Sequence, residues 1–302
     1  MHARHAVTGA FGFSGRHIAT RLLARGDEVL NLTNHPNRPD PFAGRVPVAP
    51  LAFADDKSLS GSLRGIDVLF NTYWFRVPPA GETHDDAVRN LGVLFAAARR
   101  AGVRRVVHIS VANPDARSPY SYYRCKARAE EALAASGVGH AVLRPAVLFG
   151  DEPILVNTVA WLLRRVPLFA IPGDGGYPIQ PVSVNDVADL ALAAAALDEN
   201  VAWDAAGPET MSFTQFIRAV RSAVSSRALV VHVPALLALL GARGLGLVTS
   251  TTLLTAEELD AMTAGLLASH EPPRGTTRFS EWLAASGTWL GRHRVPRVVH
   301  RY

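Results

Sequence analysis

Short apolar runs alternate with amphipathic segments over the first half of the chain. The run HAVTGA is apolar, SGRHIATRLLARG then places Ile18, Leu22 and Leu23 on one helical face, and DEVLNLT is apolar again. Further strands are predicted at RVPVAPL, DVLFNTYW, VRRVVHIS and HAVLRP, and further helices at DKSLSGSLRG, HDDAVRNLGVLFAAARRAG and YYRCKARAEEALAASG. Strands separated by helices of this length predict an α/β fold with a doubly wound parallel sheet.

Three glycines, Gly9, Gly12 and Gly15, lie where the first predicted strand gives way to the first predicted helix. This is the position that a phosphate-binding turn occupies in a strand-helix-strand unit. The first glycine allows a tight turn, the second lets the backbone approach a pyrophosphate, and the third lets the helix pack close to the strand. The alternative is a turn with a purely structural role. The predicted cradle also includes the neighbouring residues Phe11, Phe13 and Ser14.

Beyond Gly150 the pattern becomes mainly helical, with Pro/Gly loops between the helices. Helices are predicted at VNTVAWLLRRVP, at SFTQFIRAVRSAV with Ser212 as its N-cap, at ALLALLGARGLGLV broken by its glycines, and at TAEELDAMTAGLL. We therefore predict a dinucleotide-binding Rossmann core over 1–150, a cleft-rim segment over 151–177, a return to the Rossmann sheet over 178–207, and a smaller, mainly α C-terminal lobe for substrate or partner over 208–302.

Several motifs together resemble those of the extended and atypical short-chain dehydrogenase/reductases, which include NAD-dependent epimerases and dehydratases. They are the glycine spacing, Asn71-Thr72-Tyr73, the Tyr122-x-x-x-Lys126 pair, LRPAVLFG and PVSVNDVA. The segments NTYWFRV and VAWLLRRVP look like the branch that contains the dinucleotide-binding accessory subunit of respiratory complex I. The resemblance implies a Rossmann sheet with a smaller lobe over the cofactor. It also implies that Asn71, Thr72, Tyr73, Lys126 and Pro145 bind that cofactor.

The end of the second predicted strand bears on the choice of cofactor. A site specific for NAD usually places a carboxylate there to hold the ribose 2′-OH. This sequence has Thr33, Asn34 and, slightly later, Arg38, whereas Asp40 follows two prolines in a loop. The hydroxyl, amide and guanidinium groups suit a 2′-phosphate, so NADP is predicted and NAD stays the alternative. Arg38 as a solvent-exposed loop residue is the structural reading of the same pattern.

Tyr122 and Lys126 lie four residues apart on a predicted helix and therefore share one face. An ammonium beside a phenol lowers the pKa of the phenol, which can then act as a general acid or base. The resemblance assigns these catalytic roles to the pair. Ser110 is a third candidate catalytic residue, but Val111 follows it where a second hydroxyl is usual in the superfamily, and a structural role for Ser110 is the alternative. The missing contact could come from Asn113, Tyr120 or Tyr123.

Composition limits the location and partners of the protein. The chain has 302 residues, of which 48% are hydrophobic and 19% charged, and a single cysteine, Cys125, excludes an internal disulfide framework. The sequence contains neither eighteen consecutive apolar residues nor a signal-peptide pattern at its start, so we predict a cytoplasmic protein without a transmembrane segment. The apolar stretch Leu236–Leu247 is expected to be core, with an exposed partner or membrane surface as the alternative.

The net charge of +5 comes almost wholly from arginine, because Lys57 and Lys126 are the two lysines. The arginines are scattered along the chain, so nucleic-acid binding is not expected. His84, His108 and His140 are far apart in the sequence and lack the spacing of metal ligands, so no metal is predicted. The helices that start near Thr83 and Ser121 could form a homo-oligomer interface, as is common in the superfamily.

Two functions follow from these patterns. The first is an NAD(P)-dependent oxidoreductase or epimerase-like enzyme that acts on a small carbonyl or hydroxyl substrate, with Tyr122 and Lys126 as its acid/base pair. The second is a protein that binds NADP(H) for structure or redox sensing without turning it over. The Tyr122 and Lys126 pair favours the first, and Val111 after Ser110 favours the second.

Overall fold

All the strands predicted before Gly150 are present in the computed structural model, which describes residues 3–151, 154–249 and 254–293. The strands are β1 Arg4–Thr8, β2 Glu28–Thr33, β3 Val48–Pro50, β4 Val68–Asn71, β5 Arg105–Ile109, β6 Gly139–Pro145, β7 Val147–Phe149, β8 Leu168–Pro172, β9 Pro178–Ile179, β10 Pro181–Ser183, β11 Val201–Ala205, β12 Met211–Ser212 and β13 Leu229–Val233. The helices are α1 Phe13–Ala24, α2 Asp56–Ser62, α3 His84–Ala101, α4 Ser121–Ala135, α5 Ile154–Leu163, α6 Val184–Ala195, α7 Phe213–Ala223, α8 Ala235–Thr249, α9 Ala256–Thr263 and α10 Phe279–Ser286.

The backbone packs into two compact units. The first contains the described residues up to Arg144 together with Val187–Trp203. The second contains Pro145–Asp186 and the described residues from Asp204 onward. The last residues of the predicted C-terminal lobe, 294–302, lie outside the described residues.

A seven-stranded parallel sheet in the order β11-β6-β5-β4-β1-β2-β3 forms the centre of the first unit and is flanked by helices. The strands are nearly continuous apolar runs because both faces of a parallel sheet are covered. Strand order reverses between β1 and β4, which pair in parallel with His5 opposite Val68. In such sheets ligands bind beyond the carboxyl ends of the strands at this reversal. The predicted doubly wound fold is confirmed.

Helices α3 and α4 pack against each other beside this sheet. Helix α3 begins with a capping box, in which Thr83 Oγ1 accepts a hydrogen bond from the Asp86 amide and the Asp86 carboxylate accepts one from the Thr83 amide. It ends at Gly102, whose φ of +78° suits glycine. Leu94 of α3 and Leu133 of α4 are fully buried in one apolar core. This packing holds α4 against α3 in the core beside the sheet.

The segment 178–207 joins the central sheet through β11 but not through β10. Strand β10 instead pairs in parallel with β7, with Pro181 opposite Val147, in a separate two-stranded sheet. The backbone at Gly207 lies so close to β10 that a Cβ there would stand 1.9 Å from the Pro181 carbonyl oxygen. Within this segment, β11 is the strand that lies in the main sheet, whereas β10 pairs with β7, the strand that follows β6 in the chain.

The second unit combines helices with short strands around its own apolar core. Strands β8 and β13 are parallel, and β9 and β12 are antiparallel. The rings of Phe149, Phe216, Phe279 and Trp282 pack on one another with centroid distances of 5.1–6.0 Å. Ser212 caps α7 in a capping box, as predicted from the sequence. Within the described ranges, no helix combines the length and the apolar character that crossing a bilayer requires.

Helix α8 contains the leucine-rich stretch. It runs without interruption through Gly241 and Gly244, so the predicted break at the glycines is wrong. A Cβ at either glycine would meet no atom within 4 Å, so neither position enforces a turn. The side chain of Leu239 is buried, whereas Leu236 is 66% exposed. One side of the helix is therefore core, and the other faces solvent.

Candidate functional site

The glycine turn, residues 9–15, is held by backbone contacts at the carboxyl end of β1. Gly9 has φ +67°, and its amide donates to the Leu32 carbonyl at 2.9 Å. The Gly12 amide donates to the Gly9 carbonyl at 2.7 Å and closes the turn. A Cβ on Gly15 would lie 2.3 Å from the Gly9 carbonyl oxygen. Only glycine allows α1 to start this close to the turn.

The N-terminus of α1 is open to an anion. Gly12 is its N-cap, no side chain caps the helix, and its first turn carries no acidic residue. The helix dipole and the first-turn N–H groups therefore favour a negative charge at this position. This uncapped N-terminus, which follows the tight turn at Gly9, fits the pyrophosphate of a dinucleotide.

Asn31 supports this turn and was missed in the sequence. Its side-chain Oδ1 accepts a hydrogen bond of 2.8 Å from the Ala10 amide, and the residue is 1% exposed. A polar residue inside the apolar strand VLNLT was the signal that could have revealed it, because buried parallel strands are nearly all apolar. Asn31 fixes the orientation of the peptide between Gly9 and Ala10.

The end of β2 has no acidic side chain available for a ribose. Thr33 Oγ1 accepts a hydrogen bond of 3.0 Å from the His35 amide, Asn34 is exposed, and Arg38 is half-buried. The nearby Asp40 carboxylate accepts from the Phe42 and Gly44 amides at 2.7 and 2.6 Å, so it closes its own loop. Thr33 thus ends β2 beside the glycine turn, and Asn34 and Arg38 come after it in the chain.

The side chains of Asn71 and Thr72 join β4 to β1. Thr8 Oγ1 donates to Asn71 Oδ1 at 3.1 Å, and Thr72 Oγ1 donates to the Thr8 carbonyl at 2.5 Å. The Tyr73 hydroxyl accepts a hydrogen bond of 2.9 Å from Asn90. These contacts give the three predicted side chains structural partners at the point where strand order reverses.

His108 continues the same polar network into the core. Asn71 Nδ2 donates to His108 Nδ1 at 2.7 Å, so the imidazole proton lies on Nε2. Burial, with a smaller effect of the Lys126 charge, lowers the pKa of His108 well below its usual value. The ring is therefore neutral, and it adds no positive charge beside Lys126.

Helix α4 places Tyr122 and Lys126 on one face, as predicted from their spacing. Lys126 Nζ donates to the Ile109 carbonyl at 2.9 Å and lies 4.3 Å from the centroid of the Trp74 ring. Tyr122 is half-buried and meets the same Trp74 ring edge-on, with centroids 6.0 Å apart. Burial lowers the pKa of Lys126 to about 7, against a smaller opposing effect of the Glu130 carboxylate. Sequence reasoning missed the Trp74 contact.

Ser110 follows β5 and is engaged at both its amide and its hydroxyl. The amide donates to the Leu143 carbonyl at 2.7 Å, and Oγ donates to Glu130 Oε1 at 2.5 Å. Arg144 Nη2 donates to the other oxygen of Glu130 at 2.6 Å. The sequence did not point to Glu130. Pro145, the last predicted site residue, is buried at the end of β6.

The family described as NAD(P)H-binding matches residues 9–199 of the chain, which is more than half of its length. This chain belongs to that family. Its fold is that of the extended short-chain dehydrogenase/reductases, as the resemblance in its motifs predicted. The glycine turn lies at the start of the matched residues.

Relatives of this NAD(P)H-binding protein include enzymes and subunits of a larger complex. It is 32% identical over 214 residues to (4-alkanoyl-5-oxo-2,5-dihydrofuran-3-yl)methyl phosphate reductase of Streptomyces griseus. The aligned residues make up 68% of each chain. It is 26% identical over 196 residues to subunit 9 of the NADH dehydrogenase [ubiquinone] 1 alpha subcomplex, mitochondrial, of Arabidopsis thaliana. That match covers 62% of this chain and about half, 49%, of the subunit.

Solved structures agree with the fold. The NADPH-dependent quinone oxidoreductase of Escherichia coli, complexed with NADPH, superposes with a TM-score of 0.77 at 18% identity, over 93% of this chain and 99% of that chain. A nucleoside-diphosphate-sugar epimerase from Staphylococcus aureus superposes with a TM-score of 0.70 at 18% identity over the same shares. At these identities the likeness concerns the fold alone.

Proposed function

We propose that this protein is an NADP(H)-dependent oxidoreductase that acts on a small carbonyl or hydroxyl substrate. The observation that carries the proposal is the pair Tyr122 and Lys126 on one face of α4, with Lys126 bonded to the end of β5 in a Rossmann sheet whose glycine turn is open to an anion. The reductase relative from Streptomyces griseus supports the same class of reaction.

Preference for NADP rests on the end of β2. Thr33, Asn34 and Arg38 would hold the 2′-phosphate, and the Asp40 carboxylate is occupied by two backbone amides. A guanidinium that forms charge-assisted hydrogen bonds with a phosphate contributes about 1.5 to 3 kcal/mol. The same guanidinium has no anionic partner on the ribose of NAD, so the two cofactors are expected to differ in affinity.

The cofactor supplies or accepts a hydride when bound, and the side chains of this chain manage the proton. Tyr122 donates a proton to the substrate oxygen in reduction, or accepts one in oxidation. The charge of Lys126 would favour the phenolate form of Tyr122, and its ammonium would bind the nicotinamide ribose. The Lys126 ammonium also donates a hydrogen bond to the Ile109 carbonyl, and this bond holds the ammonium in place.

Cofactor preference is tested by titrating the protein with NADPH and with NADH and following tryptophan fluorescence. We expect tighter binding of NADPH, and we expect Arg38→Gln to weaken NADPH at least about tenfold while leaving NADH unchanged. Arg45→Gln is the matched control, because Arg45 is an exposed arginine of the same loop. Tighter binding of NADH by the unsubstituted protein would overturn the NADP preference.

The catalytic roles are tested with a panel of carbonyl compounds that includes an unsaturated lactone, an aldehyde and a quinone. Consumption of NADPH is measured for each. Tyr122→Phe should reduce kcat by about a hundredfold or more and spare NADPH binding, whereas Lys126→Met should lose both. Full turnover by Tyr122→Phe would rule out Tyr122 as the acid/base.

The second function, NADP(H) binding without turnover, is favoured by one specific arrangement. The Trp74 ring lies over the Lys126 ammonium. The Ser110 hydroxyl donates its hydrogen bond to Glu130, and the next residue, Val111, is apolar. The complex I subunits among the relatives are compatible with such a role. In that case Lys126→Met still weakens NADPH binding, but no compound in the panel consumes NADPH and Tyr122→Phe changes nothing.

A further inference from the structure

Glu130 lies one turn beyond Lys126 and two turns beyond Tyr122 on α4, so the three residues occupy one face of the helix. Its side chain is only 12% exposed. A carboxylate is rarely this buried unless cationic or hydrogen-bonding groups surround it. Glu130 therefore needs an explanation within the site that α4 helps to build.

The Glu130 carboxylate connects three elements. It accepts the Ser110 hydroxyl at 2.5 Å from the end of β5. It accepts Arg144 Nη2 at 2.6 Å and Nε at 3.1 and 3.2 Å from β6. It belongs to α4 itself. These contacts satisfy both carboxylate oxygens and fix the direction of the Ser110 O–H bond.

The charges around Lys126 give the same carboxylate a second effect. From β5, His108 is buried and neutral, and from β6, Arg144 is paired with Glu130. From the segment after β4, the Trp74 ring faces the ammonium, and on α4 Tyr122 lies one turn before Lys126. Burial opposes the charged form of Lys126, and Glu130 favours it.

We propose that Glu130 is a positioning residue of this site, which holds the Ser110 hydroxyl as an acceptor and supports the charged form of Lys126. The proposal rests on the roles given above to Lys126 and Tyr122. It has a chemical consequence: a hydroxyl whose proton goes to a carboxylate accepts hydrogen bonds but does not donate to a substrate oxygen. Tyr122 is then the proton donor to that oxygen, and Ser110 receives a hydroxyl or N–H group.

The chain offers a direct readout, because it contains only two lysines, Lys57 and Lys126. Lys57 is exposed on α2 and Lys126 is buried, so NMR of isotope-labelled lysine side chains follows each one separately as pH changes. The measurement is made on the full chain without cofactor. It does not depend on any activity.

Glu130→Gln should move the titration midpoint of Lys126 down by about one pH unit, since an opposite charge within several ångströms shifts a pKa by that order. The matched control is Glu131→Gln, the same substitution at the next residue, which is exposed. Glu130→Asp keeps the charge and should restore most of the midpoint. A midpoint that is the same in Glu130→Gln, Glu131→Gln and the unsubstituted protein would overturn the proposal.

Arg144→Gln provides a test of opposite sign that does not require Glu130→Gln to fold. In this variant the Arg144 charge no longer offsets the Glu130 charge. The carboxylate then favours the charged form of Lys126 more strongly, so the titration midpoint of Lys126 should rise. A fall in the midpoint would contradict the proposal. Measuring NADPH affinity as a function of pH separates this proposal from the proposed function. If NADPH does not bind, the proposed function is wrong, but the titration of Lys126 still decides the role of Glu130.

Discussion

The glycine turn and the lysine cluster are two parts of the first unit that are built in different ways. The lysine cluster consists of Trp74, Ser110, Lys126, Glu130 and Arg144. The glycine turn depends mainly on backbone bonds and close approach, such as the 2.7 Å bond from Gly12 to Gly9. The lysine cluster depends on charges and side-chain hydrogen bonds, such as that from Ser110 to Glu130.

This difference predicts different sensitivities. Close approach of backbone determines the glycine turn, so a methyl group added at Gly15 should destabilise it at any pH. Charge determines the lysine cluster, so pH should change its contribution to stability while its shape is kept. Four measurements of the free energy of unfolding, ordered by expected effect, test this contrast.

Gly15→Ala should have the largest effect. Its Cβ would meet the Gly9 carbonyl oxygen at 2.3 Å, and displacing backbone in this way costs about 3 kcal/mol. Gly92→Ala is the matched control within a helix, since a Cβ at Gly92 meets nothing within 4 Å. That control should be stabilised by up to about 1 kcal/mol. Urea unfolding measures both, and equal effects of the two substitutions would contradict the close-packing argument.

The pH dependence of stability should come next. Burial lowers the pKa of Lys126 from 10.5 to about 7, so between these values the unfolded chain holds a proton that the folded chain has lost. The free energy of unfolding should therefore rise with pH, by about 2 kcal/mol between pH 7 and pH 9. Urea unfolding at the two pH values measures the rise.

Two variants isolate this effect. Lys126→Met should remove the rise, and Lys57→Met should keep it because Lys57 is exposed. Burial raises the pKa of Cys125, which acts in the opposite direction but equally in all three proteins. If Lys126→Met retains the same pH dependence as Lys57→Met, the lysine cluster is not the source of it.

Asn31→Ala should lower the free energy of unfolding by about 1 to 2 kcal/mol, because the Ala10 amide loses its 2.8 Å partner inside the protein. NADPH binding should also weaken, since the turn loses the contact that orients its peptide. Asn185→Ala on α6 serves as a comparison at a position outside the turn. An Asn31→Ala protein with unchanged stability and cofactor affinity would show that the turn needs no side-chain support.

Gly12→Val should have the smallest effect on stability, below about 1 kcal/mol. Gly12 has φ −87° and ψ 177°, an extended conformation that valine also adopts. Cofactor binding should nevertheless be lost, because the side chain would occupy the space of the pyrophosphate. Retained NADPH affinity in a folded Gly12→Val protein would refute the cradle.

Much of the first unit was predictable from the sequence because its signals are local. Alternating apolar runs and amphipathic segments predicted the six strands from β1 to β6 and the helices between them. The spacing of Tyr122 and Lys126 placed both on one helix face, which the structure bears out in their shared contact with Trp74. The stretch around Pro181 is less regular, and its three-residue strand β10 carries too little periodicity to indicate β7 as its partner.

The sequence by itself determined the succession of strands and helices along the chain, the family, and the glycine turn. Each of these depends on patterns or motifs of residues that are close together in the chain. Only the tertiary structure decided the partners of the lysine cluster. Trp74 and Lys126 are 52 positions apart, and Ser110 meets Glu130 because α4 packs along the ends of β5 and β6. The pKa of Lys126 and the direction of the Ser110 proton follow from these distant contacts and from burial, which no local pattern encodes.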